Sequence, residues 1–159
     1  VVMVNLIEDE DQWCKSRYGI PLEAGDCRAS RSESFCGMIP ETDIWSTTML
    51  VVEDARTNPR TSSNPFVVGE PHVWFYAGLP LISANGSRIG SMCAIDTTKP
   101  AKLHRADGQF MINMGNLILR ELERERIDQE LAEHMELQFS EGAPTDGSEY
   151  LMGPARMQR

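Results

Sequence analysis

Four cysteines, three histidines and a scatter of carboxylates are the residues here that could do chemistry. Cys14, Cys27, Cys36 and Cys93 follow one another at intervals of 13, 9 and 57 positions. No Cys-x-x-Cys pair occurs, and these intervals fit no zinc pattern. The thiols read as buried and reduced, with a Cys14–Cys27 or Cys27–Cys36 redox pair as the sharper alternative. Cys93 sits mid-strand between Met92 and Ala94, where a cysteine behaves as a small hydrophobe. A redox role there needs exposure and a lowered thiol pKa, and no Lys, Arg or His lies within four residues of it. His72, His104 and His134 are scattered. His72 has the sharp reading of a haem ligand or pocket donor and the plainer one of a surface residue at a strand entry. Asp9, Asp11, Asp54 and Asp96 form no pair whose environments would push two carboxyl pKa values apart, so no general acid and base emerge. Asp96 reads as a turn residue bonding its own backbone. Nucleophile elbow, P-loop and glycine-rich dinucleotide turn are all missing from the sequence.

The elements that must position these residues are clearest between Asn64 and Asp96. Two strand-like runs, residues 73–82 and 88–95, flank Ser83-Ala84-Asn85-Gly86. Asn-Gly between apolar runs is the strongest short hairpin signal, because both residues tolerate positive φ. Upstream, residues 1–7 predict a strand, the acidic run at residues 8–11 a turn, and residues 12–18 a returning strand. Residues 21–30 lack periodicity and read as loop. Residues 31–38 predict a short helix capped by Ser32, with Phe35, Cys36 and Ile39 buried. Residues 45–52 are β-branched and apolar and predict a third strand, followed by a polar loop over residues 56–64. From about residue 103 to 139 the period changes to 3.6. Phe110, Met114, Leu117 or Ile118, and Leu122 share a stripe that Ile127, Leu131 and Met135 continue. Beyond Leu122 the stripe thins among Glu, Arg and Gln, as in a coiled-coil seam.

A chain of 159 residues with 41% hydrophobic and 25% charged residues suits one domain with a real core. Net charge is −9 and the pI near 4.8, which disfavours nucleic acid and anionic membrane surfaces. No apolar run approaches the roughly 18–20 residues of a bilayer span. The chain begins at Val1 directly in strand-like sequence, with no signal peptide in view. An intracellular, soluble setting is expected, in the cytoplasm or inside an organelle.

Residue by residue, the pattern resembles the GAF domain. Ser34-Phe35-Cys36, Asp54-Ala55, Asn64-Pro65, Val68-Gly69, Pro71, Phe75-Tyr76-Ala77-Gly78, Pro80-Leu81, Gly86, Ile89-Gly90, Cys93 and Ile95-Asp96 carry the likeness. They resemble in particular the branch in sensor histidine kinases and diguanylate cyclases. The resemblance covers residues 1–122 and implies an α/β (α+β) fold: an antiparallel sheet of five or six strands flanked by helices, with a long C-terminal helix. It further implies a small-molecule pocket on one face and helices on the other that often pair with a second copy. The family's leading helix is missing. So are the bilin-attaching Cys-His pair, since Cys27, Cys36 and Cys93 precede Arg28, Gly37 and Ala94, and the cyclic-nucleotide signature; the cofactor is left unknown.

The expected organisation is a GAF-like domain over residues 1–122, a charged helical extension over 123–139 and a tail without intrinsic structure over 140–159. The expected role is a non-catalytic sensory or regulatory module that binds a small ligand, or dimerises, and passes the signal through the C-terminal helix. Its expected pocket residues are Phe35, Cys36, Phe66, Trp74, Tyr76 and Met92. Other protein chains, a second copy or a larger complex, are expected at Ile127, Leu131, Met135, Tyr150 and Leu151. The alternative is a ligand-free structural subunit whose tail and helix bind partners. The enzymatic alternative is a thiol-based methionine sulfoxide reductase.

Overall fold

A computed structural model describes residues 1–19, 28–40 and 49–141, with side chains placed as far as residue 137. Tyr150 and Leu151, the tail expectation, both Cys27 pairings and the first part of the expected third strand lie outside the described residues. The chain divides into two compact units, Val1–Glu123 and Arg124–Arg159.

The first unit is built on six antiparallel strands: β1 (Val2–Ile7), β2 (Asp11–Tyr18), β3 (Arg28–Ser30), β4 (Leu50–Val52), β5 (Phe75–Ile82) and β6 (Arg88–Asp96). Their order across the sheet is β3-β2-β1-β6-β5-β4. The hairpin read from the sequence supplies two of the interior strands, β5 and β6: Tyr76 pairs with Ile95 and Gly78 with Cys93. Strand β5 is buried on both faces from Phe75 to Leu81, which is why it reads as a continuous apolar run rather than an alternating one. Its turn is wider than a two-residue loop. Gly86 N–H donates to Ser83 O and Ser83 N–H to Ser87 O, and within the turn Gly86 alone has positive φ, at 86°. That is a turn with a glycine bulge, so Asn85 bends the chain without itself entering the left-handed region.

Two expectations are corrected. Residues 28–30 are not loop but the edge strand β3, paired with Asp11–Trp13. Residues 31–38 are not a helix: turns lead into a single 3₁₀ turn at Cys36–Met38. Ser34, not Ser32, organises it, its Oγ accepting from Gly37 N–H at 2.9 Å. A glycine is required at position 37, because a Cβ there would collide with the Arg31 carbonyl.

The sheet separates two apolar clusters. One face carries Phe35, Cys36, Val67, Val73, Tyr76, Cys93 and Ile95. The other carries Phe75, Ala77 and Met111, Met111 coming from the helix α2 (Arg105–Glu141). Tyr76 is 1% exposed, and burying such a ring contributes roughly 2–3 kcal/mol. The short helix α1 (Pro65–Val68) lies on the first face, its Asn64 cap accepting from Phe66 N–H at 2.9 Å. The same Asn64 donates to Glu33 O at 2.6 Å, tying α1 to the segment that leads into Cys36. Beyond Glu123, α2 bears the i,i+4 pairs Arg124–Asp128 and Arg126–Glu130, each contributing about 0.3–0.5 kcal/mol.

Candidate functional site

The first face of the sheet is hollow. A cavity of about 420 Å³ lies over it, lined by β1 (Met3, Asn5), β2 (Gln12), β3 (Arg28, Ala29), the segment before and at the 3₁₀ turn (Ser34, Phe35, Cys36), α1 and its exit (Phe66, Glu70, Pro71, Val73) and the hairpin (Tyr76, Cys93, Ile95). Strand pleating explains the set. Alternate residues of β1 and β6 share a face, so Met3 and Asn5, and Cys93 and Ile95, turn the same way. Val73 and Phe66 are joined by a backbone bond, Val73 N–H to Phe66 O at 2.7 Å, which fixes the far wall. Phe35 stacks on Tyr76 with ring centroids 4.9 Å apart.

Four of the expected pocket residues, Phe35, Cys36, Phe66 and Tyr76, line the cavity. Two do not. Met92 is buried but pairs with Leu79. Its neighbour Cys93 faces the cavity, so alternation sends Met92 to the opposite face. Trp74 stands outside the lining, with the Arg56 guanidinium 3.0 Å above its ring. His72 does not line the cavity, and among the described residues no group of three or more His, Cys, Asp or Glu could hold an ion. It sits beside Glu70 at 3.6 Å. Asp96 does what its turn position implied. Its Oδ1 accepts from the Thr98 hydroxyl and amide at 2.6 and 2.7 Å, and the Thr98 hydroxyl first among these bonds holds its carboxyl below the usual range.

The polar groups of the cavity fall into two sets. At one end, Arg28 is within 3.8 Å of Glu8 and 4.0 Å of Asp11, so its charge is already shared. Nearby, Gln12 is 8% exposed and its Oε1 is buried with no hydrogen-bond partner among the described residues. An unmet buried carbonyl costs roughly 1–3 kcal/mol. At the floor, the sulfurs of Cys36 and Cys93 lie 4.0 Å apart. Asn5 Nδ2 reaches both, at 3.4 and 3.6 Å, and the Tyr76 hydroxyl donates to Cys36 Sγ at 3.3 Å. Arg88 holds the 3₁₀ turn from β6, its Nη2 donating to Cys36 O at 2.5 Å and its Nη1 to Ile39 O at 3.1 Å.

These donors split the two thiols. Cys36 is lowered to about 6, first by its hydrogen bond with the Cys93 thiol, against the opposing effect of burial, and then by the Ser91 and Tyr76 hydroxyls and the Arg88 charge. Ser91 Oγ is buried without a partner at bonding distance among the described residues and is thus a spare donor for a thiolate. Cys93 is pushed up by the same shared proton and by burial. Burial likewise pushes the Tyr76 hydroxyl up, so it stays a donor. The sign for reactivity follows: Cys36 is a thiol below about pH 6 and a thiolate above it. Alkylation of Cys36 by iodoacetamide, followed by peptide mass, is expected to rise through about pH 6 and flatten near neutrality. An ordinary thiol keeps climbing toward about 8.5. A Cys36 profile that climbs in that ordinary way contradicts this arrangement.

Gln12 and the facing sulfurs are the site residues that sequence reasoning missed. Gln12 looks like the polar partner of Trp13 in an alternating strand, and Cys36 and Cys93 are 57 residues apart.

An antiparallel six-stranded sheet with a pocket over one face and a terminal helix on the other is the GAF fold, and this chain has it. The PixJ GAF domain from Thermosynechococcus elongatus, in its blue-light-absorbing form, superposes with a TM-score of 0.53. It does so at 14% identity, over 83% of this chain and 79% of that one. A type II free methionine-R-sulfoxide reductase from Thermoplasma acidophilum superposes at 0.55, with 15% identity over 75% of each chain. In sequence, the chain is 29% identical over 119 residues to a cyclic di-GMP phosphodiesterase of Pseudomonas aeruginosa, covering 75% of this chain but 19% of that protein. No family model matches the sequence. A blue-light-absorbing domain and a reductase share the fold, so the fold by itself carries no activity.

Proposed function

We propose that this chain is a non-catalytic sensory module whose pocket binds a small, largely apolar ligand bearing one hydrogen-bond donor. Occupancy is then passed on through α2. The observation that carries the reading is Gln12: a buried carbonyl oxygen left unpaired among the described residues at a largely apolar cavity. Binding sites combine apolar walls with a few placed polar groups, and a donor on the ligand would remove the desolvation cost that Gln12 bears alone. The match to a segment of a cyclic di-GMP phosphodiesterase is in keeping with a regulatory role. Cyclic di-GMP itself is a poor fit, because Arg28 is the only cationic side chain among the described residues lining the cavity, and acidic neighbours already share its charge. A ligand acts on the helix only by its differential affinity for two packings of it, and Met111 on α2 against Phe75 and Ala77 is the contact that such a change would move.

Ala29→Trp tests the pocket. Ala29 lines the cavity from the edge strand β3, where added bulk disturbs the core least. With indole, an apolar ring bearing one N–H, as the probe, the variant is expected to bind more than about tenfold more weakly than wild type, with a melting temperature within about 2 °C of it. Unchanged binding would place the ligand elsewhere.

A second reading is favoured by the exposed stripe of α2. Ile127, Leu131 and Met135 are 55%, 58% and 50% exposed and spaced four apart. We infer that this stripe pairs with another chain, a second copy of this helix first among the candidates, since apolar residues four apart share one helix face and this face is exposed. Leu131→Glu together with Ile127→Glu is expected to convert a dimer into a monomer in sedimentation velocity. A wild type that is monomeric at all concentrations would end that reading.

A further inference from the structure

We propose that Cys36 and Cys93 form a peroxide-oxidisable dithiol at the pocket floor, which closes reversibly to a Cys36–Cys93 disulfide. The geometry carries it. The two sulfurs are already 4.0 Å apart, both line the cavity, and a disulfide of ~2.05 Å needs an approach of about 2 Å. They are also chemically prepared. A buried asparagine spends its amide on both sulfurs, and a buried tyrosine hydroxyl points at one of them. A pair of inert core cysteines needs neither. The inequality of the two thiols assigns the roles: Cys36 is the attacking sulfur and Cys93 the resolving one. Cys14 is placed differently: it is partly exposed, and its thiol donates to the carbonyl of Ser16.

The oxidant is a hydroperoxide small enough to enter the cavity. The Cys36 thiolate attacks the terminal peroxide oxygen and the O–O bond breaks. The alkoxide or hydroxide released takes up a proton, leaving as alcohol or water, and Cys36 becomes a sulfenic acid. The Cys93 sulfur then attacks Cys36 Sγ. The S–O bond breaks, and the hydroxide leaves as water with the proton from Cys93. Two thiols and one hydroperoxide thus yield one disulfide, one alcohol or water, and one water. An external dithiol returns the two electrons. Closure covalently joins the 3₁₀ turn to β6 and takes from Asn5 and Tyr76 the sulfur acceptors they now serve.

The proposal rests on the cavity being open to small molecules, which indole binding by the reduced protein reports separately. The full chain is treated with sub-millimolar hydrogen peroxide, quenched and mapped by non-reducing peptide mass spectrometry. The expected product is a Cys36–Cys93 linked peptide pair, formed ahead of any change at Cys14 and reversed by dithiothreitol. In Cys93→Ser, which keeps a hydroxyl donor beside Cys36, the reaction is expected to stop at a sulfenic acid that dimedone captures at Cys36. Reduced Cys36 and Cys93 alongside oxidised Cys14 would overturn the proposal. So would Cys36 advancing to sulfinic acid while Cys93 is present and unlinked. If Cys93→Ser does not fold, the wild-type map decides alone. Failure of the linkage with intact indole binding sinks the dithiol and leaves the pocket reading standing.

Discussion

Gly37→Ala is expected to lower the melting temperature by about 10 °C and to abolish the low-pH reactivity of Cys36. The Cβ it adds would overlap the carbonyl oxygen of Arg31, a backbone atom that cannot swing away. Overpacking against backbone costs typically about 1–3 kcal/mol, which for a domain of this size is several degrees per kcal/mol. The functional loss follows from what the turn carries. Gly37 lies between Cys36 and Met38 in a single 3₁₀ turn, anchored by Ser34 Oγ on its own N–H and by Arg88 on the Cys36 carbonyl. Moving Gly37 moves Cys36 away from Cys93 and Tyr76, and with them go the donors that lower its pKa. Differential scanning calorimetry and the iodoacetamide pH profile read the two effects independently. A variant with unchanged stability would show that the turn is not held as described.

Gln12→Met is expected to act in opposite directions on stability and on binding. Met fills a similar volume and removes the unpaired Oε1, so the free protein should gain about 1 kcal/mol, a rise of a few degrees in melting temperature. Recognition should fall. Indole and benzofuran have nearly the same shape, and only indole carries an N–H. Wild type should prefer indole by about fivefold, the equivalent of one net hydrogen bond of about 1 kcal/mol, and Gln12→Met should show no preference. A residue serving only the fold would lose stability on replacement. Both titrations can be made calorimetrically on the same preparations, and a wild type indifferent to the N–H would remove Gln12 from the site.

Much of the fold was legible from local signals because the central hairpin is fixed by them. An apolar run from Phe75 to Leu81, a turn with glycine, and a second apolar run from Ile89 to Ile95 leave few alternatives. The long helix was equally plain, since its period changes from 2 to 3.6 near residue 103 and the helix begins at Arg105. Strand β3 was not legible, because Arg28-Ala29-Ser30 has no strand propensity of its own and owes its conformation to pairing with β2. The expected helix at residues 31–38 failed for the opposite reason. Its apolar spacing was helical, but Gly37 pressed against Arg31 and the Ser34 side chain on Gly37 N–H shape a tighter turn.

The site was half legible. Phe35, Cys36 and Tyr76 lie within the motifs that carry the resemblance, and Phe66 follows directly on one of them. Met92 follows from alternation alone, because period 2 forbids Met92 and Cys93 from facing one cavity. Gln12 and the Cys36–Cys93 pair carry no such local signal. They depend on a six-stranded order that puts β1 between β2 and β6, and on a turn that crosses over that face. Neither is written in local sequence.

The central claim is that the cavity over this sheet holds a small molecule. Native mass spectrometry of the wild-type chain and Ala29→Trp, each isolated under gentle conditions, tests it most directly. A small-molecule adduct on the wild type that dissociates with mild activation, and is missing from Ala29→Trp, is the expected result. The bare chain mass for both proteins, with no indole retained by either on addition, would contradict it.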